Sequence, residues 1–313
     1  MKKLLSTLLM LAIAVTMGSY LIIPNSNSAA ETTSIATNHN AIFRILTEPE
    51  ILSRLVNSKT TAPSTGISVF EYNNVNMQFQ ERMNDIIEVT MGHEGESAKS
   101  LIKVIPKGRD SALVEWRMPI SLSNNPFKRI QQYIQVKSTK ADMASFLNKL
   151  KAFAIQPENI YGFAIKKTKL SDSLLITTKA IFPTTPSTDA YYNLISQLQA
   201  YAESQNALIT NYPMLNITTI NNNQYETMVA LPINKEIPGS SDIKFKRMVP
   251  GNILVTEVKG GPQEIDQGLN QLSNYMSDRN LIAPAIPFQS LITDRLSNKD
   301  SNHWITKLYY PIF

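Results

Sequence analysis

The sequence predicts an α+β chain of two domains behind an apolar N-terminal segment. Three observations carry this. A β-α-β-β order occurs twice in the C-terminal half. Before it come a strand, two short helices, several antiparallel strands and one long helix. Ahead of both stands an uncharged run preceded by Lys2 and Lys3.

Residues 1–30 read as a targeting segment. Leu4 to Ile23 carries no charge. Ser28-Ala29-Ala30 presents small residues where signal peptidase cuts, which favours a removed signal peptide and a mature chain starting at Glu31. The run is also long enough to span a bilayer, which favours a retained anchor through residues 4–23. Both readings stay open, and both place the rest of the chain outside the cytoplasm, periplasmic or membrane-anchored, because the lysines hold the N-terminus inside.

Residues 31–155 form the next domain. Glu31 to Thr37 reads as a strand. His39 to Leu46 and Glu48 to Val56 read as short helices split at Thr47-Glu48-Pro49. A polar linker with Pro63 and Gly66 follows. Five β segments are expected over Ile67–Tyr72, Val75–Arg82, Ile86–Met91, Ser100–Ile105 and Ala112–Ile120, parted by turn residues such as Asn73-Asn74 and Gly108. A helix over Ala141–Ala154 closes the domain, with Met143, Leu147, Leu150 and Ala154 on one stripe. Pro157 cannot continue that helix and marks the boundary.

Residues 158–313 hold the repeated order. In the first copy, Leu174 to Phe182 is a strand and Ser187-Thr188-Asp189 supplies cap residues. Ala190, Leu194, Leu198 and Tyr201 make a helical stripe. Met214–Ile220 and Tyr225–Ile233 are strands across Asn221-Asn222-Asn223. In the second copy, Ile253 to Lys259 is a strand stopped by Gly260-Gly261-Pro262. Ile265, Leu269, Leu272 and Met276 recur at helical spacing. Phe288–Thr293 and Trp304–Ile312 form a strand pair. The copies end alike, Leu231-Pro232-Ile233 against Tyr310-Pro311-Ile312. Two such units pair into one curved sheet with helices on one face, and the other face leaves a cleft.

The run V-T-E-V-K-G-G-P into the second helix, the L-I-T-D strand end and the terminal W-I-T-K-L-Y-Y-P-I resemble the GyrI-like family, the effector-binding domain of many AraC-type and MerR-type regulators. The likeness spans the C-terminal half. The order of elements over 31–155, opening with E-T-T-S-I-A-T-N-H-N-A-I-F-R-I-L-T-E-P-E, resembles the START-like superfamily, also called SRPBCC or polyketide-cyclase-like. Its members commonly have Ala-Pro where this chain has Thr37-Asn38. That resemblance implies a helix-grip fold whose strands wrap the long helix and enclose an apolar cavity. A START-like and a GyrI-like domain behind one hydrophobic segment also resemble a known bacterial two-domain arrangement.

Composition excludes several classes. The 313 residues carry a net charge of +5, and without Lys2 and Lys3 the balance is 28 basic against 25 acidic. Nucleic-acid binding calls for a concentrated basic face, which is lacking. With no cysteine there is no disulfide, thiol nucleophile or thiolate metal ligand. His39, His93 and His303 lie in separate segments outside any metal-ligand spacing, so no metal or cofactor is expected. No phosphate loop or nucleophile elbow occurs, and no catalytic residue stands out.

The candidate ligand-binding residues are Lys307, Leu291, Trp304 and Tyr309. The GyrI-like resemblance implies a Glu at Lys307, facing the cleft and binding cations or serving hydrolysis, and a Tyr at Leu291. A carboxylate has become an ammonium and a phenol an aliphatic. The pocket reading is then an apolar or anionic ligand; the alternative is that Lys307 snorkels to solvent. Trp304 and Tyr309 either line a cleft or pack a core. Trp116, Met118 and Met77 pose the same choice in the first domain. The sequence thus points to a non-enzymatic, extracytoplasmic binder of a small apolar or anionic molecule. A START-like cyclase or hydrolase, or a protein-interaction module using the GyrI-like cleft, are the alternatives.

Overall fold

The structure is a computed structural model, and it describes residues 26–57, 69–83, 85–93, 96–170, 173–220 and 224–313, with scattered positions among the first 25. The uncharged run over 4–23, the linker with Pro63 and Gly66, and the turn Asn221-Asn222-Asn223 lie wholly or mostly outside those residues. The chain is α+β, with two antiparallel sheets. It divides into two compact units, Met1–Ile160 and Tyr161–Phe313.

In the first unit, β1 (Ser26–Ile35) leads into α1 (His39–Thr47) and α2 (Pro49–Val56). Asn38 caps α1, its side chain accepting from the Asn40 N–H, and Pro49 sits at the start of α2 where a missing N–H costs nothing. Five strands follow: β2 (Val69–Tyr72), β3 (Val75–Met83), β4 (Ile86–His93), β5 (Glu96–Pro106) and β6 (Ala112–Ser121). Asn73 and Asn74 both take positive φ in the β2–β3 turn, as a two-residue hairpin requires. The sheet order is β1-β6-β5-β4-β3-β2.

Helix α3 (Pro126–Ala154) begins well before the expected Ala141. Its first half holds the β-branched and polar run Ile130 to Thr139, with no continuous apolar stripe. The start is legible only in its cap: Asn125 accepts from the Phe127 and Lys128 N–H groups, and Pro126 takes the first turn. The expected stripe Met143, Leu147, Leu150 and Ala154 is buried. Phe146, between them, touches the rings of Tyr72, Phe79 and Trp116 from β2, β3 and β6. Strands from both halves of the sheet thus reach one helix. Trp116 and Met77 are fully buried core residues, and the Trp116 Nε1–H donates to Ser100 Oγ at 2.9 Å.

In the second unit, after α4 (Pro157–Tyr161), the elements are β7 (Lys166–Leu170), β8 (Ser173–Phe182), α5 (Thr188–Ser204), β9 (Met214–Ile220), β10 (Gln224–Ile233), β11 (Lys244–Met248), β12 (Gly251–Lys259), α6 (Pro262–Asp278), β13 (Phe288–Leu291) and β14 (Ile305–Ile312). The order β-α-β-β is present at β8-α5-β9-β10 and at β12-α6-β13-β14. Strand order is β11-β8-β10-β9-β13-β14-β12-β7, one sheet through both halves. The sequence reading omitted β7 and β11. Each is an edge strand rich in lysine, K-K-T-K-L and K-F-K-R-M, so neither shows apolar alternation. Lysines on an edge also discourage pairing with another chain.

Helices α5 and α6 pack on one face of this sheet. The buried stripe of α5 is Tyr191, Tyr192, Ile195, Leu198 and Ala202, one position on from the expected Ala190 and Leu194. On α6 the stripe is Ile265, Gly268, Leu272 and Met276. Gly268 allows close approach: a Cβ there would stand 2.7 Å from Leu308 Cδ1 and 2.8 Å from Val258 Cγ2. Gly260 has φ +135°, a conformation that L side chains rarely adopt, and it turns β12 into the helix. The Gly261 N–H then donates to the Glu264 carboxylate, closing the first turn.

Candidate functional site

Alternation along the strands decides which residues of the second unit face the helices and which face away. Register pairs Leu291 with Thr306, and Ser290 with Lys307. Leu291 belongs to the core on the α5 side, with Ile176, Tyr191, Leu215, Val229 and Leu231, and is 2 % exposed. Lys307, one residue on from Thr306, lies on the opposite, helix-free face, half-buried, with Glu257 across the β12–β14 pair. Tyr309 shares that face and stacks on Phe288 at 4.9 Å. The four residues singled out in the sequence are therefore parted by the sheet: Lys307 and Tyr309 on one face, Leu291 and Trp304 on the other.

What Trp304 does there is visible. Its Nε1–H donates to the Asn298 carbonyl at 2.7 Å, and its ring lies 4.6 Å from the guanidinium of Arg295. Arg295 is 5 % exposed. It donates to Tyr191 Oη (3.0 Å), Thr306 Oγ1 (2.8 Å) and Gln289 Oε1 (3.5 Å), and its backbone N–H donates to Tyr192 Oη (2.7 Å). Burial, foremost, raises the Tyr192 pKa above its ordinary value. The neighbouring Asp294 carboxylate accepts from Ser297 Oγ and the Leu296 N–H, and the Ser297 hydrogen bond chiefly lowers its pKa. Trp304 and Thr306 of the W-x-T stretch both touch the guanidinium, so that stretch has a structural role, gripping a buried arginine that ties α5 to β13 and β14. The cation buried between the two halves is Arg295, not Lys307. Sequence reasoning missed it because a lone Arg in the polar loop Asp294 to His303 gives no periodic signal.

The helix-free face carries a cavity of about 660 Å³. Alternate residues line it: Leu175 and Thr177 of β8, Met228 and Ala230 of β10, Met214 and Asn216 of β9. Phe288, Pro311 and Ile253 complete the wall from the second half. Leu170 of β7 and Met248 of β11 reach it too, although these strands end opposite edges of the sheet, so the sheet curls around the space. The wall is apolar apart from Thr177, Asn216, Asn252 and Lys246, and Lys246 is the one charged side chain among the lining residues. Asn216 is already committed, donating to the Pro287 carbonyl at 2.8 Å and accepting from Thr218 Oγ1 at 2.9 Å. At the rim, Val249 is 81 %, Ile286 52 % and Phe313 75 % exposed. Lys307 is not part of this wall. Tyr309 meets it only through Phe288.

The first unit holds a second cavity, of about 440 Å³, between Val75, Met91, Ala98, Met118 and Ile120 of the sheet and Gln132, Gln135, Val136, Thr139 and Asp142 of α3. Met118 thus lines a cavity, whereas Met77 and Trp116 pack the core. Apart from Val136, the helix side of that cavity is polar.

Among the described residues, no cluster of His, Asp or Glu is arranged to hold a metal ion, and no helix is long and apolar enough to cross a membrane. His303 Nδ1 lies 2.8 Å from Asp300, and His39 is half-buried at the start of α1.

No protein-family model and no curated protein matches the sequence. Solved structures similar to this chain include the C-terminal domain of EcmrR, at 14 % identity over 48 % of this chain and 98 % of that chain, with TM-score 0.42. A structure of SAV2435 bound to tetraphenylphosphonium matches at 13 % identity over 48 % and 93 %, with TM-score 0.31. A hydrolase from Listeria innocua matches at 10 % identity over 48 % and 91 %, with TM-score 0.38.

Proposed function

We propose that this chain is a non-enzymatic, extracytoplasmic protein whose C-terminal unit binds a small apolar or anionic molecule on the helix-free face of its sheet. One observation carries the reading: the cavity of about 660 Å³, walled by apolar side chains from both β-α-β-β halves. Its size falls within the roughly 300–1,000 Å³ of small-molecule sites. Lys246 as its one charged wall residue favours a neutral or anionic occupant over a cation. The cation beside the proposed ligand is thus Lys246 and not Lys307. The repeated β-α-β-β order supports a GyrI-like unit, and the strands wrapped around α3 support a START-like one. The described groups with shifted pKa values, Glu88, Tyr161, Tyr192, Asp294 and Asp300 among them, stand outside both cavity walls, which favours binding over catalysis. The exposed rim of Val249, Ile286 and Phe313 supports a second reading, docking of an apolar protein segment.

Calorimetric titration of the purified full chain tests the proposal, using a neutral apolar dye, a long-chain carboxylate and tetraphenylphosphonium. The first or second binds, and the third does not bind measurably. Phe288→Ala weakens the binding by about tenfold, the order expected for removing one buried aromatic contact. Tighter binding of the cation would overturn the charge argument, and failure of all three would favour the docking reading. A reporter active only in the cytoplasm, fused after Phe313, tests export; its activity would refute the location.

A further inference from the structure

We infer that the chain is not cut before Glu31 and that Ile23 and residues 26–30 belong to the N-terminal unit, not to a leader that is removed. Sequence alone leaves the matter open, because Ser28-Ala29-Ala30 suits a signal peptidase. The structure uses the same residues for folding. Strand β1 starts at Ser26, and its first half pairs with the end of β6: Ser26 with Ser121, Ser28 with Pro119, Ala29 with Met118 and Ala30 with Arg117. Ala29 is 0 % exposed. Ala29, the middle residue of that small run, is a core residue, while Ser28 is exposed and Ala30 half-buried on the other face of the strand.

Further upstream, Ile23 is 5 % exposed, and its carbonyl accepts a hydrogen bond from Nη2 of Arg129 at 2.5 Å. Arg129 lies on the first turn of α3 and is itself 1 % exposed. A cut at Ala30 would take this acceptor from a buried guanidinium. It would strip half the ladder from one side of β6 and leave Arg117 to Ser121 as an open edge. It would also start the chain in mid-strand, with a new ammonium at Glu31, opposite the fully buried Trp116. These losses fall on three separate elements, β1, β6 and α3. A leader dispensable to the fold would touch none of them.

Retention has a consequence for location. The uncharged run from Leu4 to Ile23 stays on the mature chain, and its last residue is the one seated in the unit. At about 20 residues it suffices to span a bilayer, so the exported protein is tethered close to the lipid surface. The tether, unlike the retention, rests on the export reading above.

Intact-mass measurement on the full chain, expressed with its own N-terminus, reads retention directly. The expected mass includes residues 1–30; a mature chain beginning at Glu31 overturns the inference. Ala29→Glu in the same full chain supplies a second reading. At a buried strand position it lowers the melting temperature by more than about 5 °C or prevents folding. In a leader that is removed it leaves the mature protein unchanged, and an unchanged melt overturns the structural claim. Alkaline carbonate washing separates the tether from the retention. The intact chain stays with the membranes; its release overturns the tether alone, and the cytoplasmic reporter then shows whether export failed.

Discussion

The two faces of the C-terminal sheet are built from the same strands and differ in nearly every physical respect. The helix side is closed. Leu291, Thr306, Leu308 and Thr256 are buried there beneath α5 and α6, and a cation, Arg295, is buried with them. The other side is left uncovered by the helices, lined by Met214, Met228, Phe288 and Ile253, with exposed apolar groups at its rim. A folded chain rarely leaves a concave apolar surface of this kind without a use for it. The packed face is an apolar core that encloses one cation, Arg295, whereas the uncovered face mixes an apolar wall with Lys246, Lys307 and Glu257. Packing is therefore concentrated on one face, and the wall residues of the other are free to vary.

If the faces are independent, substitutions on the helix side should cost stability and leave binding alone. Leu291→Ala is the largest such change, about 2–5 kcal/mol for a buried leucine. Denaturant unfolding should show that loss, while affinity for whichever cavity probe binds stays within about twofold at a temperature where the variant is folded. A matching loss of affinity would mean that the faces are coupled. Arg295→Met comes next. It keeps much of the volume but leaves Tyr191, Thr306 and the Trp304 ring without their cation, an expected loss of about 1–3 kcal/mol in the same measurement.

The third test is pH. Tyr161 is buried; its hydroxyl donates to Asp278 at 2.8 Å and accepts from Arg279 at 3.1 Å. Burial first, and the Asp278 carboxylate second, raise its pKa well above the ordinary tyrosine value. A raised folded-state pKa means that the stabilisation is complete below the unfolded tyrosine pKa, about pH 10, and is lost as pH climbs toward the folded value. Melting temperature should hold up to about pH 10 and fall above it, more steeply in the wild type than in Tyr161→Phe. Equal slopes would remove Tyr161 as the cause.

The smallest effect belongs to Lys307→Glu. It sets a second carboxylate opposite Glu257 on the helix-free face, a like-charge pair worth about 0.2–1 kcal/mol. Ligand affinity should move less than for Phe288→Ala, because Lys307 stands off the cavity wall. A larger change in affinity would bring Lys307 back into the site.

Several features of this protein follow from its sequence without further help. Apolar period-two and helical spacing mark β8, β10, β12, α5 and α6, because burial of one face must recur at the period of the backbone. Gly260-Gly261-Pro262 marks where β12 ends and α6 begins, since backbone freedom and a fixed φ are local properties. The α+β class follows from these. Local pattern failed for the lysine-rich edge strands β7 and β11, whose pairing depends on a neighbour's free edge, and for the first half of α3, where tertiary contacts override a weak stripe.

The site depended on the tertiary structure most of all. Lys307 and Leu291 were joined by motif position, yet a one-residue offset between paired strands puts them on opposite faces. The small residues Ser28-Ala29-Ala30 belong equally to a cleavage signal and to a tight strand, and only the pairing with β6 shows the second use. Arg295 carried no pattern at all. Its partners come from α5, β13 and β14, segments as far as 104 residues away in the chain, and such a contact exists only once the fold has brought them together.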